Sequence, residues 1–207
     1  AAIAVGNFDG VHKGHQAVIR EAGRIAEAHN IPWAVLTFEP HPRQVFQSEE
    51  APFRLTPLRS KVRALERLGV DALIIQQFNR SFSRQPAEKF IADVLVSGLR
   101  AQHVVAGYDF LFGHKRNGNC ELLLTIGKKL GFGFTAVSAL EDDQAMAYSS
   151  TRIRDCLAKG DVRAATAMLG RYFSYEGRVC RGDQRGQTIG FPTLNLRLGT
   201  AIRPLLG

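Results

Sequence analysis

The sequence predicts an α/β fold, a doubly wound parallel sheet followed by a short β-rich segment. Three observations carry that expectation. Apolar runs of strand length alternate with stretches of helical periodicity from residue 1 to about residue 137. A glycine-rich stretch, GNFDGVHKGH at 6–15, directly follows the first apolar run. Beyond residue 149, two short helical patterns give way to a tail with recurrent glycines. Such alternation argues for a parallel sheet covered on both faces, with right-handed crossovers and ligands beyond the carboxyl ends of the strands.

Residues 1–5 read as the first strand, 13–29 as an amphipathic helix and 32–38 as the second strand. Thr56 followed by Pro57 is an N-cap and first-turn signal, after which Leu58, Val62, Leu65 and Leu68 keep one apolar helical stripe until Gly69. Residues 70–75 have the character of a buried strand. Residues 86–99 predict a helix with Phe90, Ile91, Val94 and Leu95 inward, followed by a strand over 102–106, a helix over 119–130 and a strand over 132–137. Short helices are expected over 150–158 and 161–169. A boundary near Arg171 divides the chain into a main domain, 1–170, and the start of a second, 171–207, too short for its own core in most cases.

The 207 residues carry a net charge of +8, which suits a polyanionic ligand: a nucleic acid or a phosphorylated small molecule. A solvated basic surface without a partner explains the same charge. Cys120, Cys156 and Cys180 are odd in number and lack C-x-x-C spacing, so reduced, structural thiols are expected. No apolar run reaches the roughly 18 residues of a membrane span, and the opening is too short for a signal peptide. These features predict a cytoplasmic protein with neither a membrane nor a nucleic-acid partner, since no compact basic arm is present.

If the first strand ends at Val5 and a helix begins near Lys13, His12 and His15 share one face of its first turn. Free N–H groups and a partial positive charge make phosphate the natural ligand at that helix start. Gly6, Gly10 and Gly14 are expected to let backbone approach it. The pattern is not a Walker A loop, which needs G-x-x-x-x-G-K-[ST]. A second constellation, SSTRIR at 149–154, reads either as ordinary capping or as a second phosphate cradle with Arg154 as a bidentate clamp. Arg152 is expected on the solvated face.

The stretches GNFDGVHKGHQ, TFEPHP at 37–42, LTP with Lys61, GYDFLFG from 107 with Arg116 and Gly118, and SSTRIR together resemble the bacterial bifunctional riboflavin kinase/FMN adenylyltransferases, or FAD synthetases, of the H-x-G-H nucleotidyltransferase superfamily. The resemblance implies adenylyl transfer from ATP to FMN, with Mg²⁺ accompanying ATP. It places Gly6, Phe8, Asp9, His12, Gly14 and His15 in the ATP site, with Ser150, Thr151 and Arg154 as the second phosphate-binding signature. It implies that His12, His15 and Arg154 act on the reacting phosphates. His41 and Arg43 match a loop at the flavin cleft, Arg43 toward the FMN phosphate; His41 also reads as a turn residue between prolines. Phe78 and Asn79 match the flavin-facing segment, and Phe78 equally suits packing beneath a helix. Asp109 and Phe110 match positions near the adenine and flavin ends of the cleft, while Tyr108 stands where the family often has an acid.

The tail from Gly177 to Leu196 resembles the start of the family's riboflavin kinase β-barrel, with Thr193 and Asn195 matching a Mg-ATP signature in which Leu194 replaces the usual Ala. A plain β-hairpin accounts for the same glycines. Ending at RPLLG, the barrel is expected to be incomplete, so that riboflavin phosphorylation belongs to a longer parent protein. The expected mechanism is direct in-line attack of an FMN phosphate oxygen on the α-phosphorus of ATP, with no dedicated base and no all-protein metal site, because Mg²⁺ sheds water reluctantly. Competing readings are an H-x-G-H transferase with another phosphorylated acceptor, such as phosphopantetheine, and a basic non-catalytic nucleic-acid-binding protein. Oligomeric state is left open.

Overall fold

The computed structural model describes residues 1–47, 52–182 and 185–205. Five parallel strands, β1 (Ala2–Val5), β2 (Trp33–Glu39), β3 (Ala72–Gln77), β4 (His103–Gly107) and β5 (Gly133–Val137), form one sheet in the order β3-β2-β1-β4-β5. Strand order reverses beside β1, so the crevice between the carboxyl ends of β1 and β4 is the switch point at which ligands bind in such sheets.

The central strand explains the two layers. Its alternate side chains divide between faces: Ile3 and Val5 join Leu36, Phe38 and Val104 under one layer, and Ala2 and Ala4 meet the other. Two alanines leave room for α1 (Lys13–His29), whose Val18, Ile19, Ala22, Ile25 and Ala26 are buried on that face. Asn30 at φ 51° closes α1 in the left-handed conformation. The opposite face is covered by Phe90, Ile91 and Leu95 and by Leu123 of α5 (Cys120–Leu130), which Asn119 caps through Leu122 N–H. A third cluster gathers Leu55, Ile153, Leu157, Ala165, Met168 and Leu169 around α6 (Ser150–Ala158) and α7 (Val162–Leu169).

Several expectations need correction. The segment predicted as a buried strand from residue 70 begins at Ala72 and forms an edge strand with Ile75 44% exposed, because only β2 pairs with it. In α3 (Leu58–Glu66) the inward face carries Lys61 and Leu65, while Val62 is 40% exposed. Pro57, not Thr56, holds the N-cap position, and the Thr56 hydroxyl instead accepts a hydrogen bond from Gly10 N–H at 2.8 Å. The helix expected over 86–99 is a short α4 (Ala87–Lys89) running into a π-helical stretch, Phe90–Gly98. Its wider turn still turns Phe90, Ile91 and Leu95 inward. A further short helix, α2 (Pro42–Phe46), follows the cis peptide between Glu39 and Pro40.

Beyond α7 the chain forms a small antiparallel pair, β6 (Val179–Cys180) with β7 (Asn195–Leu196), joined through α8 (Arg185–Thr188). Residues 200–205 then return to the main body. Ile202 N–H donates to Arg54 C=O at 2.8 Å, Leu205 N–H donates to Leu157 C=O at 3.1 Å, and Ile202 joins the third cluster. Among the described residues no helix is long and apolar enough to cross a membrane. Cys120, Cys156 and Cys180 are free thiols.

Candidate active site

The loop between β1 and α1 is the centre of the site. His12 is the N-cap of α1 in extended conformation, and its Nδ1 accepts from His15 N–H at 3.2 Å. It therefore stands just before the first turn, not within it as the sequence suggested, and the two imidazoles stack with centroids 3.6 Å apart. An Nδ1 that accepts carries no proton, so neutral His12 bears its hydrogen on Nε2. Burial lowers the His12 pKa to about 4; Asp9 partly opposes this, and Arg154 and Arg171 reinforce it. Burial, then His12, Lys61 and Arg154, hold His15 well below the ordinary imidazole value. Among the described residues, His15 Nδ1 is buried with no hydrogen-bond partner.

Gly6 and Gly10, expected to let a ligand approach, also leave room for the protein itself. A Cβ on Gly6 would lie 2.9 Å from the Phe8 ring, and one on Gly10, at φ +91°, 2.9 Å from Leu55. Phe8 in turn meets His15 edge-on at 5.4 Å between centroids. Gly14 does line the cavity described below.

Asp9 is 2% exposed and holds this loop against its neighbours. Its carboxylate accepts from Leu55 N–H and Thr56 N–H at 3.1 and 3.0 Å and from Arg154 Nη2 at 2.7 Å, with Arg54 Nε 3.6 Å away. Burial raises its pKa, but the Thr56 amide, Arg54, Arg154 and the Leu55 amide more than offset this and leave it below the usual carboxylate value. Arg54 continues the network to Glu39 at 2.6 Å, and Lys61, fully buried, donates to Glu39, Thr37 Oγ1 and Asn7 C=O at 3.1, 3.1 and 2.8 Å. Arg154 Nε also donates to Phe53 C=O at 2.9 Å. The arginine expected to clamp phosphate thus spends two nitrogens on the scaffold, and Asp9, expected at ATP, is enclosed in that scaffold.

Ser149 caps α6 through Arg152 N–H at 3.2 Å, and Ser150 Oγ donates to Asp9 C=O at 2.7 Å, which ties the two helix starts together. Thr151 is exposed and does not line the cavity. Arg152 is no solvated face residue: it donates to Met146 C=O, Ala147 C=O and Asp142 at 2.9, 2.7 and 2.6 Å, bracing the loop before α6.

Two neighbouring cavities open at the carboxyl ends of the strands. The first, about 290 Å³, is lined by His12, Gly14, His15, Tyr108, Asp109 and Ser150, among others. Both helix starts reach it, and neither α1 nor α6 has an acidic residue in its first turn. Their unpaired N–H groups therefore offer an uncancelled positive end to an anion. The second cavity, about 620 Å³, is walled by Phe38, Phe46, Phe78, Phe82, Phe90, Phe110 and Phe112 and bordered by His41, Arg43, Lys115 and Arg116. Consecutive residues Asp109 and Phe110 line different cavities, so the two lie side by side.

His41 caps α2, its Nδ1 accepting from Arg43 N–H at 3.1 Å, and burial lowers its pKa to about 4. The Arg43 guanidinium lies 4.6 Å from the Phe53 ring centroid. Phe78 packs edge-on to Phe38, Phe46 and Phe82, so packing and cavity lining are the same role. Asn79, expected to face flavin, instead accepts from Phe82 N–H at 2.8 Å and lines a shallow groove outside the large cavity. Thr193 and Asn195 lie in and beside β7, apart from both cavities. Among the described residues no group of three or more His, Cys, Asp or Glu could hold a metal ion.

Arg54, Gln16, Arg171 and most of the phenylalanine wall went unassigned in the sequence. Thirteen phenylalanines in 207 residues were a visible signal for the wall. The buried ions had no local signal, since their partners are brought together by the fold.

The FAD synthetase family model matches residues 1–152, and the riboflavin kinase model matches residues 169–207. The chain is 42% identical over 211 residues to the bifunctional riboflavin kinase/FMN adenylyltransferase of Haemophilus influenzae, covering 100% of this chain and 67% of the relative. It is 40% identical over 205 residues to the protein of that name from Escherichia coli K12, covering 99% and 65%. A solved structure described as a macrolide-efflux protein from Streptococcus pneumoniae superposes with a TM-score of 0.82 at 32% identity, over 98% of this chain and 66% of that one. The chain spans about two thirds of the length of the curated relatives it matches. With its sheet, its paired helix starts and its two-part cleft described, the chain belongs to the FAD synthetase family.

Proposed function

We propose that this chain transfers the adenylyl group of ATP to FMN, forming FAD and pyrophosphate. The observation that carries the reading is the pair of adjoining cavities: one polar and reached by two helix N-termini, the other walled by seven phenylalanines with cations at its border. A polyphosphate suits the first. A flat tricyclic ring suits the second, where aromatic faces stack and Arg43, Lys115 or Arg116 meets a terminal phosphate. The match to relatives named FMN adenylyltransferase supports the same assignment.

In this reading the FMN phosphate is already ionised and attacks the α-phosphorus directly, while pyrophosphate leaves in line. His12 donates Nε2–H to a phosphate oxygen, and the starts of α1 and α6 meet the charge that develops on the others. Asp9, Arg54 and Arg154 hold these donors in place; Arg154 acts chiefly by positioning. The nucleotide substrate would be MgATP, whose Mg²⁺ would offset phosphate charge. Asp109 faces the nucleotide cavity, whereas Thr193 and Asn195 belong to the riboflavin kinase module, which we place from residue 171 onward. Free thiols fit a reducing cytoplasm. Part of the net positive charge serves internally, on Arg54, Lys61, Arg154 and Arg171, which weakens the case for a nucleic-acid partner.

The test supplies FMN and MgATP and measures FAD and pyrophosphate together. Equal amounts support the reading; no FAD, or pyrophosphate without FAD, refutes it. His12→Ala removes one preorganised donor and is expected to lower kcat about a hundredfold, with the KM for FMN little changed.

A further inference from the structure

We propose that Arg171 is a positioning residue for the nucleotide loop and forms, with Gln16, a latch between the exit of α7 and the backbone immediately before His12. Its kinetic consequence rests on the adenylyl-transfer reading; the latch itself does not. Arg171 Nη2 donates to Gly10 C=O at 2.6 Å, and Nη1 donates to Val11 C=O at 3.1 Å and Leu169 C=O at 3.4 Å. Gln16 Nε2 donates to the same Val11 and Leu169 carbonyls, at 3.0 Å each. Two planar side chains from different elements therefore bridge one pair of carbonyls distant in the chain.

Both ends of the latch need it. Leu169 is the last residue of α7, whose unpaired carbonyls carry the negative end of the helix and attract a guanidinium. At the other end, Phe8 and Val11 have φ of 47° and 43°, and a β-branched residue rarely adopts such a conformation. Strained backbone of this kind persists only where its surroundings hold it. The surroundings here are explicit. The carbonyls of Asp9, Gly10 and Val11 each accept a side-chain donor from beyond residue 149: Ser150 for the first, Arg171 for the other two.

His12 follows Val11 directly, so a shift of the Val11 peptide moves the imidazole that caps α1. Residues 8–12 lie within the FAD synthetase match and Arg171 within the riboflavin kinase match, so the latch joins the two modules at the nucleotide loop. Lysine cannot replace it fully, since a point charge lacks the planar fork that reaches two carbonyls at once.

The experiment uses the full-length protein with Arg171→Met, Arg171→Lys and Gln16→Met. Amide hydrogen exchange is followed in peptides covering residues 7–13 and, as a control, 33–39. Arg171→Met and Gln16→Met are expected to speed exchange in 7–13 about tenfold and leave 33–39 unchanged. FAD formation is expected to show kcat lowered about tenfold with the KM for FMN within about twofold, and Arg171→Lys is expected to fall between. If Arg171→Met does not fold, Gln16→Met decides. Exchange in 7–13 at the wild-type rate overturns the latch, and faster exchange with undiminished kcat overturns its positioning role. A wild-type protein that makes no FAD overturns the adenylyl-transfer reading instead, while the exchange arm still decides the latch.

Discussion

Replacing Asp9 by Asn keeps the shape of the side chain, removes its charge and turns one acceptor oxygen into an N–H donor. The carboxylate is 2% exposed and holds Arg154 at 2.7 Å, with Arg54 at 3.6 Å and two backbone amides on its oxygens. Removing one partner of a buried ion pair is worth about 3–5 kcal/mol, because the other charge stays buried without compensation. Arg54 keeps Glu39 at 2.6 Å, and the Asn carbonyl oxygen still accepts from an amide, so the lower end, about 3 kcal/mol, is expected. That is a large share of a typical folding stability of about 5–15 kcal/mol. Urea denaturation at neutral pH measures it: with a slope near 2 kcal/mol/M, the midpoint should fall by about 1.5 M. Adding Arg154→Met should then have less effect than it has alone, since the two share one ion pair. A midpoint within about 0.25 M of wild type would show that Asp9 is not the support described here.

The remaining expectations concern acid and the aromatic wall. His12 is neutral in the fold with a pKa of about 4, against 6.5 for an unperturbed imidazole. Between those values the unfolded chain takes up a proton that the native state refuses, so stability is lost as pH falls from 6.5 and the loss is complete below about 4. Up to about 3 kcal/mol belongs to this one group. Urea titrations across pH 7.5 to 4 should be less steep for His12→Ala than for wild type; equal slopes would remove His12 as the cause. Phe78→Ala opens the wall between Phe38, Phe46 and Phe82 and should raise the KM for FMN about tenfold with the KM for ATP nearly unchanged. Equal changes in both constants would contradict the division of the cleft.

Much of the sheet was legible because period and punctuation agree with the final packing. The helix bounded by His12 and Asn30 follows from its apolar spacing, and the helix after Ser149 from its hydroxyl cap. The edge position of β3 was not legible, because Leu73, Ile74 and Ile75 have the composition of an interior strand and only the pairing order sets their exposure. Lys61 misled the periodicity for another reason: a lysine on the inward face is tolerated only when Glu39, Thr37 and the Asn7 carbonyl converge on its ammonium. The histidines, the two serines and Phe110 could be located from motifs. That Asp9 and Arg154 face each other could not, since 145 residues separate them and no short pattern encodes the pairing. Asn79 serves the turn that carries its segment, a role that the motif around it does not encode.

One side chain here, His12, begins a helix with one ring nitrogen and faces the smaller cavity with the rest of its ring. In the proposed reaction, position 12 therefore answers to two physical requirements at once. Serine or aspartate could start the helix but would be too short to reach a phosphate, while lysine could reach it but would leave the first turn open. Imidazole has an acceptor near the backbone and, across the ring, a donor about 2 Å further out. A substitution there would disturb the start of α1 and the lining of the smaller cavity together.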